Sequence, residues 1–159
     1  MKVELLPVPI TEKQHLSDLL DQYLDELSRY AHKKFPKPYV YLDTYFVEPS
    51  RKPFFIQLDD QVAGFALVNL KDPLSRRSKQ AISEFYIIPQ YRHKHIGEKT
   101  ATQLFDLYPG NWIIREVIGN PAYTFWKKII NKYTNGNYLE YDQTDDYGIR
   151  KVQEFTNVK

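Results

Sequence analysis

The stretch EFYIIPQYRHKHIGEKTATQLF, residues 84–105, passes from an apolar run through a basic loop into good helix formers. The apolar run ends at Pro89, and the loop that follows carries Arg92, His93, Lys94 and His95 ahead of Gly97. This pattern predicts a strand that ends near residue 88 and a helix that begins near residue 97. The first turn of a helix has amide N–H groups without partners and a positive dipole end. The loop is therefore typical of an anion-binding site, although a solvated basic turn has the same composition.

The bulk composition predicts a single domain over residues 1–159. The net charge of +2 is too small to indicate a nucleic-acid partner. The chain has no cysteine, which excludes disulfides, zinc thiolate sites and thiol catalysis. Neither a signal peptide nor an apolar run of membrane-spanning length is recognisable, so we expect a cytoplasmic protein with no membrane partner.

Hydrophobic periodicity predicts strands alternating with amphipathic helices. The predicted strands are 2–6, 54–58, 62–70, 80–88, 112–117, 138–142 and 148–155. The predicted helices are 11–31 with Thr11 as its cap, a short one at 42–46, 98–107, and 120–132 with Asn120 as its cap and Pro121 in its first turn. An acidic loop is expected between the last two strands. This order predicts an α/β fold with a mixed, mostly antiparallel sheet of six to seven strands flanked by helices.

Two segments carry a resemblance to a known family. Residues 92–97, RHKHIG, preceded by PQY, resemble the acetyl-coenzyme A binding motif Arg/Gln-x-x-Gly-x-Gly/Ala of the GNAT superfamily of N-acetyltransferases, with His95 where the family usually has glycine. The segment GNPAYTFWKK, 119–128, resembles the family's segment after its fifth strand. Together with YPGNW before it, this segment is similar to a subset of GNAT proteins whose substrate is undefined. The resemblance covers roughly residues 2–155 and implies the GNAT fold.

The resemblance also implies where acetyl-CoA, the acetyl donor, would bind. Backbone N–H groups of the strand before the loop would hold the thioester, the loop would hold the pyrophosphate, and the asparagine after the fifth strand would meet the pantetheine arm. Gly97 is expected to let the backbone approach the ligand. The implied residues are Tyr86, Ile87, Ile88, Arg92, His93, Lys94, His95, Ile96, Gly97, Glu98, Lys99, Asn120 and Trp126.

The implied reaction is direct attack of an amine on acetyl-CoA in a ternary complex, and two residues are candidates for its proton transfers. Glu84 is the candidate base because apolar neighbours would raise its pKa, although a solvated strand-edge glutamate is the alternative. Trp126 aligns with the family's usual acid, a tyrosine, and it has no titratable proton. Tyr123, one helical turn earlier, is the candidate acid, with simple packing as its alternative. The four histidines lack metal-site spacing, so no metal is predicted.

The acceptor is expected to be an amine of a small molecule or peptide. Tyr30 and Tyr45 are the candidate substrate residues. They belong to a wider set whose alternative interpretation is that each is an ordinary surface residue: His32, Tyr39, Tyr41, Asp142, Asp145 and Asp146. A catalytically weak acyl-CoA-binding module or sensor is the alternative function, and a nucleic-acid binder using RHKHIGEK ranks last. The sequence leaves open the identity of the amine, the acyl chain length and pairing of two copies through the last strands.

Overall fold

The computed structural model describes residues 1–31, 33–75, 77–146 and 148–158. Seven strands form one sheet in the order β1-β2-β3-β4-β5-β7-β6, and every neighbouring pair is antiparallel except β4 with β5. The strands are β1 Val3–Pro7, β2 Arg51–Leu58, β3 Gln61–Asn69, β4 Gln80–Ile87, β5 Asn111–Val117, β6 Leu139–Asp145 and β7 Gly148–Thr156. The helices are α1 Lys13–Ser28, α2 Ile96–Leu107 and α3 Ala122–Thr134. The predicted mixed, mostly antiparallel sheet with flanking helices is confirmed.

The helices cover both faces of the sheet because successive strand residues point to opposite faces. Along β2, Phe55 packs with α1 in one core cluster, while Phe54 and Ile56 pack with α2 and α3 in the other. A short 3-10 helix, Asp43–Phe46, adds to the α1 face. None of the helices among the described residues is long and apolar enough to cross a membrane.

Both ends of the first predicted helix are corrected by the structure. A 3-10 turn, Ile10–Glu12, precedes α1, and Thr11 lies inside that turn and caps nothing. The helix also ends at Ser28, three residues early. There the Ser28 hydroxyl donates to the Leu24 carbonyl at 2.7 Å and accepts the Phe35 amide at 2.9 Å. A side chain that bonds nearby backbone in this way competes with continuation of the helix.

Two later boundaries also differ from prediction. Helix α3 begins at Ala122, two residues after the predicted cap, and Asn120 Oδ1 accepts the Ala122 amide at 3.0 Å. Strand β6 extends to Asp145 through most of the expected acidic loop. Its polar residues pair with β7, where opposite charges meet directly between Asp142 and Lys151 at 2.8 Å and diagonally between Asp145 and Arg150 at 2.7 Å.

The parallel pair in the middle of the sheet separates soon after it begins. β4 and β5 are in register only at Gln80 with Trp112 and at Ala81 with Ile113. Beyond these two pairs the strands diverge, and β4 also carries a register shift against β3 at Leu67 and Val68. The opening between the carboxyl ends of β4 and β5 is called the β4–β5 gap below.

Candidate active site

A cavity of about 640 Å³ occupies the β4–β5 gap. Its wall is built from both faces of the sheet. From the α1 face come Tyr23, Glu26, Leu27, Tyr30 and Tyr86. From the opposite face come Phe85, Ile87, residues 95–98 of the α2 entry, and Asn120, Pro121, Ala122, Phe125, Trp126, Lys128 and Ile129. The cavity therefore joins two faces that the sheet separates elsewhere.

The entry to α2 presents a row of backbone amides without protein acceptors among the residues that the structure describes. His93 and His95 both adopt the left-handed conformation, with φ of 65° and 59°. Within the described chain, the amide N–H groups of residues 93–98 donate to no protein acceptor, whereas the flanking Arg92 and Lys99 amides donate to the Pro89 and His95 carbonyls. Unbonded amides at a helix start, next to left-handed residues, form a concave donor surface for phosphate groups. His95 thus takes up the conformation for which the family motif uses glycine.

Gly97 has a packing role that the sequence did not predict. A Cβ at this position would lie 2.7 Å from Cζ of Phe125, so Gly97 allows α2 to pack closely against α3. Its role in a close approach to ligand stays a prediction. A bulky substitution there would displace Phe125 and disturb the helix packing as well as any ligand.

The Arg92 side chain is turned away from the α2 entry. Its guanidinium donates two hydrogen bonds to Glu26 of α1, at 2.8 and 2.7 Å, and its Nε donates to the Ile87 carbonyl at 2.8 Å. This bidentate pair lowers the pKa of Glu26. Arg92 therefore links the loop to α1 along the cavity wall. The backbone amides of the α2 entry remain as exposed hydrogen-bond donors.

The carboxyl end of β4 offers backbone N–H groups to the cavity. The Ile88 amide donates to the Ala63 carbonyl of β3 at 2.8 Å, so it is not available to a ligand. Since an antiparallel ladder alternates, the N–H groups of Phe85 and Ile87 face away from β3 and toward the β4–β5 gap. Of the three residues predicted to donate backbone N–H groups to the thioester, Tyr86, Ile87 and Ile88, Ile87 is therefore the one whose N–H group faces the gap.

Helix α3 closes the cavity with aromatic and amide side chains. Asn120 uses Oδ1 for the Ala122 amide, which leaves its Nδ2 group as a donor on the cavity wall. Trp126 packs 5.0 Å from Phe85 and 5.0 Å from Phe125, measured between ring centroids. These rings form an apolar wall beside the gap.

The remaining predicted donor-site residues are charged, and the structure separates them. Glu98 lines the cavity and pairs with Lys132 at 2.8 Å, and this pairing lowers the pKa of Glu98. Lys94 and Lys99 are exposed and do not line the cavity. Lys128, one helical turn after Phe125, does line it.

Glu84 lies on the α1 side of β4, behind the cavity wall. Its two carboxylate oxygens accept hydrogen bonds from Tyr23 Oη at 2.7 Å and Tyr39 Oη at 2.8 Å. Burial raises the pKa of Glu84, while the two phenol hydrogen bonds and the charge of Arg150 act in the opposite direction. The solvated strand-edge alternative does not describe this carboxylate.

The predicted acid and substrate residues are dispersed. Tyr123 lies outside the cavity, and its hydroxyl donates to Glu140 at 3.1 Å. Tyr30 lines the cavity, whereas Tyr45 is buried beside Tyr39. Asp142 and Asp145 pair with Lys151 and Arg150 of β7, and His32 lies outside the described residues.

Sequence reasoning expected Tyr30 near the substrate but missed the contribution of Tyr23, Glu26 and Leu27 of α1. Tyr23 and Leu27 follow helical spacing and read as one packing face, so nothing distinguished Tyr23 from a core residue. A tyrosine on a buried face does need a partner for its hydroxyl, and that requirement was the usable signal. Glu26 gave no such signal, because its partner Arg92 lies far away in the sequence.

Comparison with known proteins identifies the family. Residues 16–128 match the model of the acetyltransferase (GNAT) family, and the chain belongs to that family. No curated protein matches the sequence significantly.

Solved structures share the fold at low sequence identity. A Salmonella typhimurium acetyl transferase that modifies the N-terminal serine of ribosomal protein L7/L12 is 11% identical, with TM-score 0.72 over 99% of this chain and 96% of that one. The aminoglycoside acetyltransferase AAC(6')-Ib with ribostamycin and coenzyme A is 12% identical, with TM-score 0.69 and coverages of 99% and 94%. Spermidine N-acetyltransferase from Vibrio cholerae with CoA and spermine is 13% identical, with TM-score 0.65 and coverages of 97% and 95%.

Proposed function

We propose that this protein transfers the acetyl group of acetyl-CoA to an amine of a small molecule or peptide, by direct attack in a ternary complex. The observation that carries the proposal is the cavity through the sheet, which joins the amides of the α2 entry on one face to the Glu84 cluster on the other. In such a cavity acetyl-CoA would approach from one face of the sheet and the amine from the other.

The donor side is supported by groups that lack protein partners. The amides of residues 93–98 would hold the pyrophosphate, with Lys128 nearby as a mobile cation. Asn120 Nδ2 and the aromatic wall at Trp126 would hold the pantetheine arm. The Ile87 N–H, facing the gap, would polarise the thioester carbonyl and stabilise the negative charge that develops on its oxygen.

The chemistry on the acceptor side is proton removal. An ammonium group must lose one proton before its nitrogen can attack, and Glu84 is the proposed acceptor of that proton. The C–N bond then forms, the C–S bond breaks, and the second proton lost by nitrogen leaves on the CoA thiol. Tyr123 is not used in this scheme, because its hydroxyl is held outside the cavity by Glu140.

The amine class is supported by the named relatives in fold, which act on aminoglycosides, spermidine and a protein N-terminus. All of these acceptors carry amino groups that are protonated in water. An ionisable carboxylate flanked by phenols suits such a group better than it suits a hydroxyl or thiol.

A ligand series tests the donor site without altering the protein. We expect calorimetry to show CoA binding with micromolar affinity, phosphopantetheine binding more weakly, and pantetheine, which lacks phosphate, binding at least about tenfold more weakly than CoA. Equal affinities for CoA and pantetheine would contradict the assignment of the α2 entry as the pyrophosphate site. A ligand series also avoids a bulky substitution at Gly97, which would displace Phe125 as well as any ligand.

The second candidate function is a catalytically weak acyl-CoA-binding module. It is favoured by one observation, that the residue aligned with the family's acid is Trp126 and no tyrosine hydroxyl of α3 among the described residues reaches the cavity. CoA binding without acetylation of any amine in a broad screen would select it.

A further inference from the structure

We propose that Tyr23 carries the acceptor's proton from the cavity to Glu84. This inference rests on the function proposed above and adds a catalytic residue to it. It follows from one asymmetry: Tyr23 lines the cavity and Glu84 does not.

Two phenols contact Glu84, and they lie on different sides of it. Tyr23 Oη donates to Oε1 at 2.7 Å, and Tyr39 Oη donates to Oε2 at 2.8 Å. Tyr39 is buried in the core formed with α1 and does not reach the cavity. Of the two described residues that donate to Glu84, Tyr23 alone lines the cavity, so it is the one placed between the carboxylate and the space where an acceptor would bind.

The Tyr23 ring is fixed in this position by its neighbours. It packs edge-on against Phe65 at 5.5 Å and against Tyr86 at 5.8 Å, measured between centroids. A ring held on two sides keeps its hydroxyl directed at the carboxylate, so the hydrogen bond needs no rearrangement when an acceptor arrives.

The charged and titratable groups around Glu84 are consistent with a relay. Tyr23 faces it from α1, Tyr39 and Tyr45 face it from the segment after α1, and Arg150 acts on it from β7. Burial and the negative charge of Glu84 raise the pKa of Tyr23 well above its ordinary value. The phenol therefore stays neutral, donates its proton to Glu84, and keeps an oxygen lone pair with which to accept another.

The proposed step is balanced within these groups. The ammonium of the acceptor gives a proton to Tyr23 Oη as the hydroxyl proton of Tyr23 passes to Glu84 Oε1. The products are a neutral amine, an unchanged phenol and a neutral carboxylic acid. No oxidant, metal or further reactant takes part.

The closing experiment compares Tyr23→Phe with Tyr39→Phe, because each variant removes one phenol hydrogen bond from the same carboxylate. The probes are 2-phenylethylamine, which is charged at neutral pH, and 2,2-difluoro-2-phenylethylamine, whose fluorines lower the amine pKa with little change in shape. Thiol release reports turnover without background from the protein, since the chain has no cysteine. Thermal unfolding of both variants provides the stability control.

We expect Tyr23→Phe to lower kcat roughly 100-fold with the charged amine and only a few-fold with the difluoro amine, which is already largely neutral. Tyr39→Phe should lower kcat by less than about tenfold with both amines, since the proton path remains. In the Glu84→Gln background, Tyr23→Phe should lower kcat by less than about a further threefold, because the effects of substituting two residues on one proton path are not additive.

Other outcomes overturn the inference in distinguishable ways. Equal losses in the two Phe variants, or a Tyr23→Phe defect that does not depend on the amine, would reject the relay and leave the proposed function standing. A further loss of kcat of roughly 100-fold when Tyr23→Phe is added to Glu84→Gln would also reject the relay, whatever the stability of the single variants. Wild type that binds CoA but acetylates no amine, neither these two probes nor any member of the broad screen, would overturn the proposed function and the relay together.

Discussion

At the scale of single residues, Glu84 shows two opposed influences on one carboxylate. Burial disfavours its charge, whereas hydrogen bonds from Tyr23 and Tyr39 favour it, and the balance leaves the pKa raised. A base must be ionised to accept a proton and must also hold that proton once it arrives. A carboxylate with a raised pKa is suited to both requirements near neutral pH.

The pKa of Glu84 predicts the direction of a pH profile. As pH falls through the raised pKa, Glu84 becomes protonated and cannot act as base, so kcat should fall on the acid side at a pH above the ordinary pKa of a glutamate. Steady-state kinetics between pH 5 and 9 would locate this limb. Glu84→Gln should lower kcat by roughly 100-fold and abolish the limb, and a limb that persists in this variant would show that another group is titrating.

Glu116 predicts a pH dependence of stability in a part of the fold that the proposed reaction does not use. Only 3% of it is exposed, neither carboxylate oxygen has a hydrogen-bond partner among the described residues, and burial raises its pKa to about 9. Below the ordinary pKa of glutamate both folded and unfolded states hold the proton, so there is no penalty. As pH rises from about 4.5 to about 9, unfolding releases that proton and the folded state loses stability.

Glu116→Gln should remove this dependence, because an amide has nothing to titrate. We expect the variant to gain up to about 5 kcal/mol relative to wild type as pH rises from 5 to 9, since each unit of pKa shift is worth about 1.4 kcal/mol. Calorimetric melting at both pH values measures the difference. Glu48→Gln is the matched control, since Glu48 is exposed and should behave alike at both pH values. The absence of any pH-dependent gain in Glu116→Gln would mean that Glu116 is ionised in the folded protein.

At the scale of elements, two glycines set the distance between neighbouring elements by different means. A Cβ on Gly64 of β3 would lie 2.0 Å from the Tyr86 carbonyl oxygen, which belongs to the backbone of β4. A Cβ on Gly97 would meet the far end of the Phe125 ring at 2.7 Å. A ring can turn aside, whereas a strand within a sheet cannot move without losing its ladder.

This contrast predicts unequal effects of the same substitution. Gly64→Ala should destabilise the fold by more than about 2 kcal/mol and disturb β4 beside the cavity, and Gly97→Ala should cost less than about 1 kcal/mol. Urea unfolding of both variants measures the two effects. A smaller effect at Gly64 than at Gly97 would contradict the rigid spacing of β3 and β4 inferred here.

The elements themselves were largely predictable, and their ends were not. Six of the seven strands follow from alternating or continuous apolar runs, because burial on a sheet leaves that pattern in the sequence, whereas β6 is exposed along its whole length. The end of α1 at Ser28 depends on the Phe35 amide, and the extension of β6 depends on Arg150 across the ladder. Such contacts form between positions apart in the sequence, and a single chain read locally does not reveal them.

The candidate site was also predictable only where it is built from neighbouring positions in the sequence. The α2 entry was found because loop, glycine and helix lie next to one another in the sequence. The connection of Tyr23 with Glu84 joins residues 61 positions apart, and the Arg92 side chain bonds Glu26 across 66 positions. The assignment of Gly97 as a ligand contact came from a local pattern, and its packing against Phe125 requires knowledge of α3.

At the scale of the whole molecule, the cavity is lined by residues from both faces of the sheet. The proposed donor-binding groups lie with α2 and α3, and the Glu84 cluster lies with α1. The proposed function therefore has both reactants bound at once, each on its own face. Without cysteine, the chain also lacks one of the residue types that can carry an acyl group between two half-reactions.

This arrangement predicts sequential kinetics. Initial rates at varied acetyl-CoA and 2-phenylethylamine should give intersecting double-reciprocal lines, because both substrates must be bound before acetyl transfer. CoA should compete with acetyl-CoA and not with the amine. Parallel lines, together with a covalently acetylated protein after incubation with acetyl-CoA alone, would contradict direct attack.

The divergence of β4 from β5 also has a mechanical consequence. Only two residue pairs join the four strands that begin the sheet to the three that end it, so the two halves are held together mainly by side chains of the core shared with α2 and α3. Side-chain packing resists small rotations less than a continuous ladder does. A ligand lodged in the opening would act as a crosslink between the halves. Hydrogen exchange of β5 and β7 should then slow when CoA binds, at amides far from any contact with it.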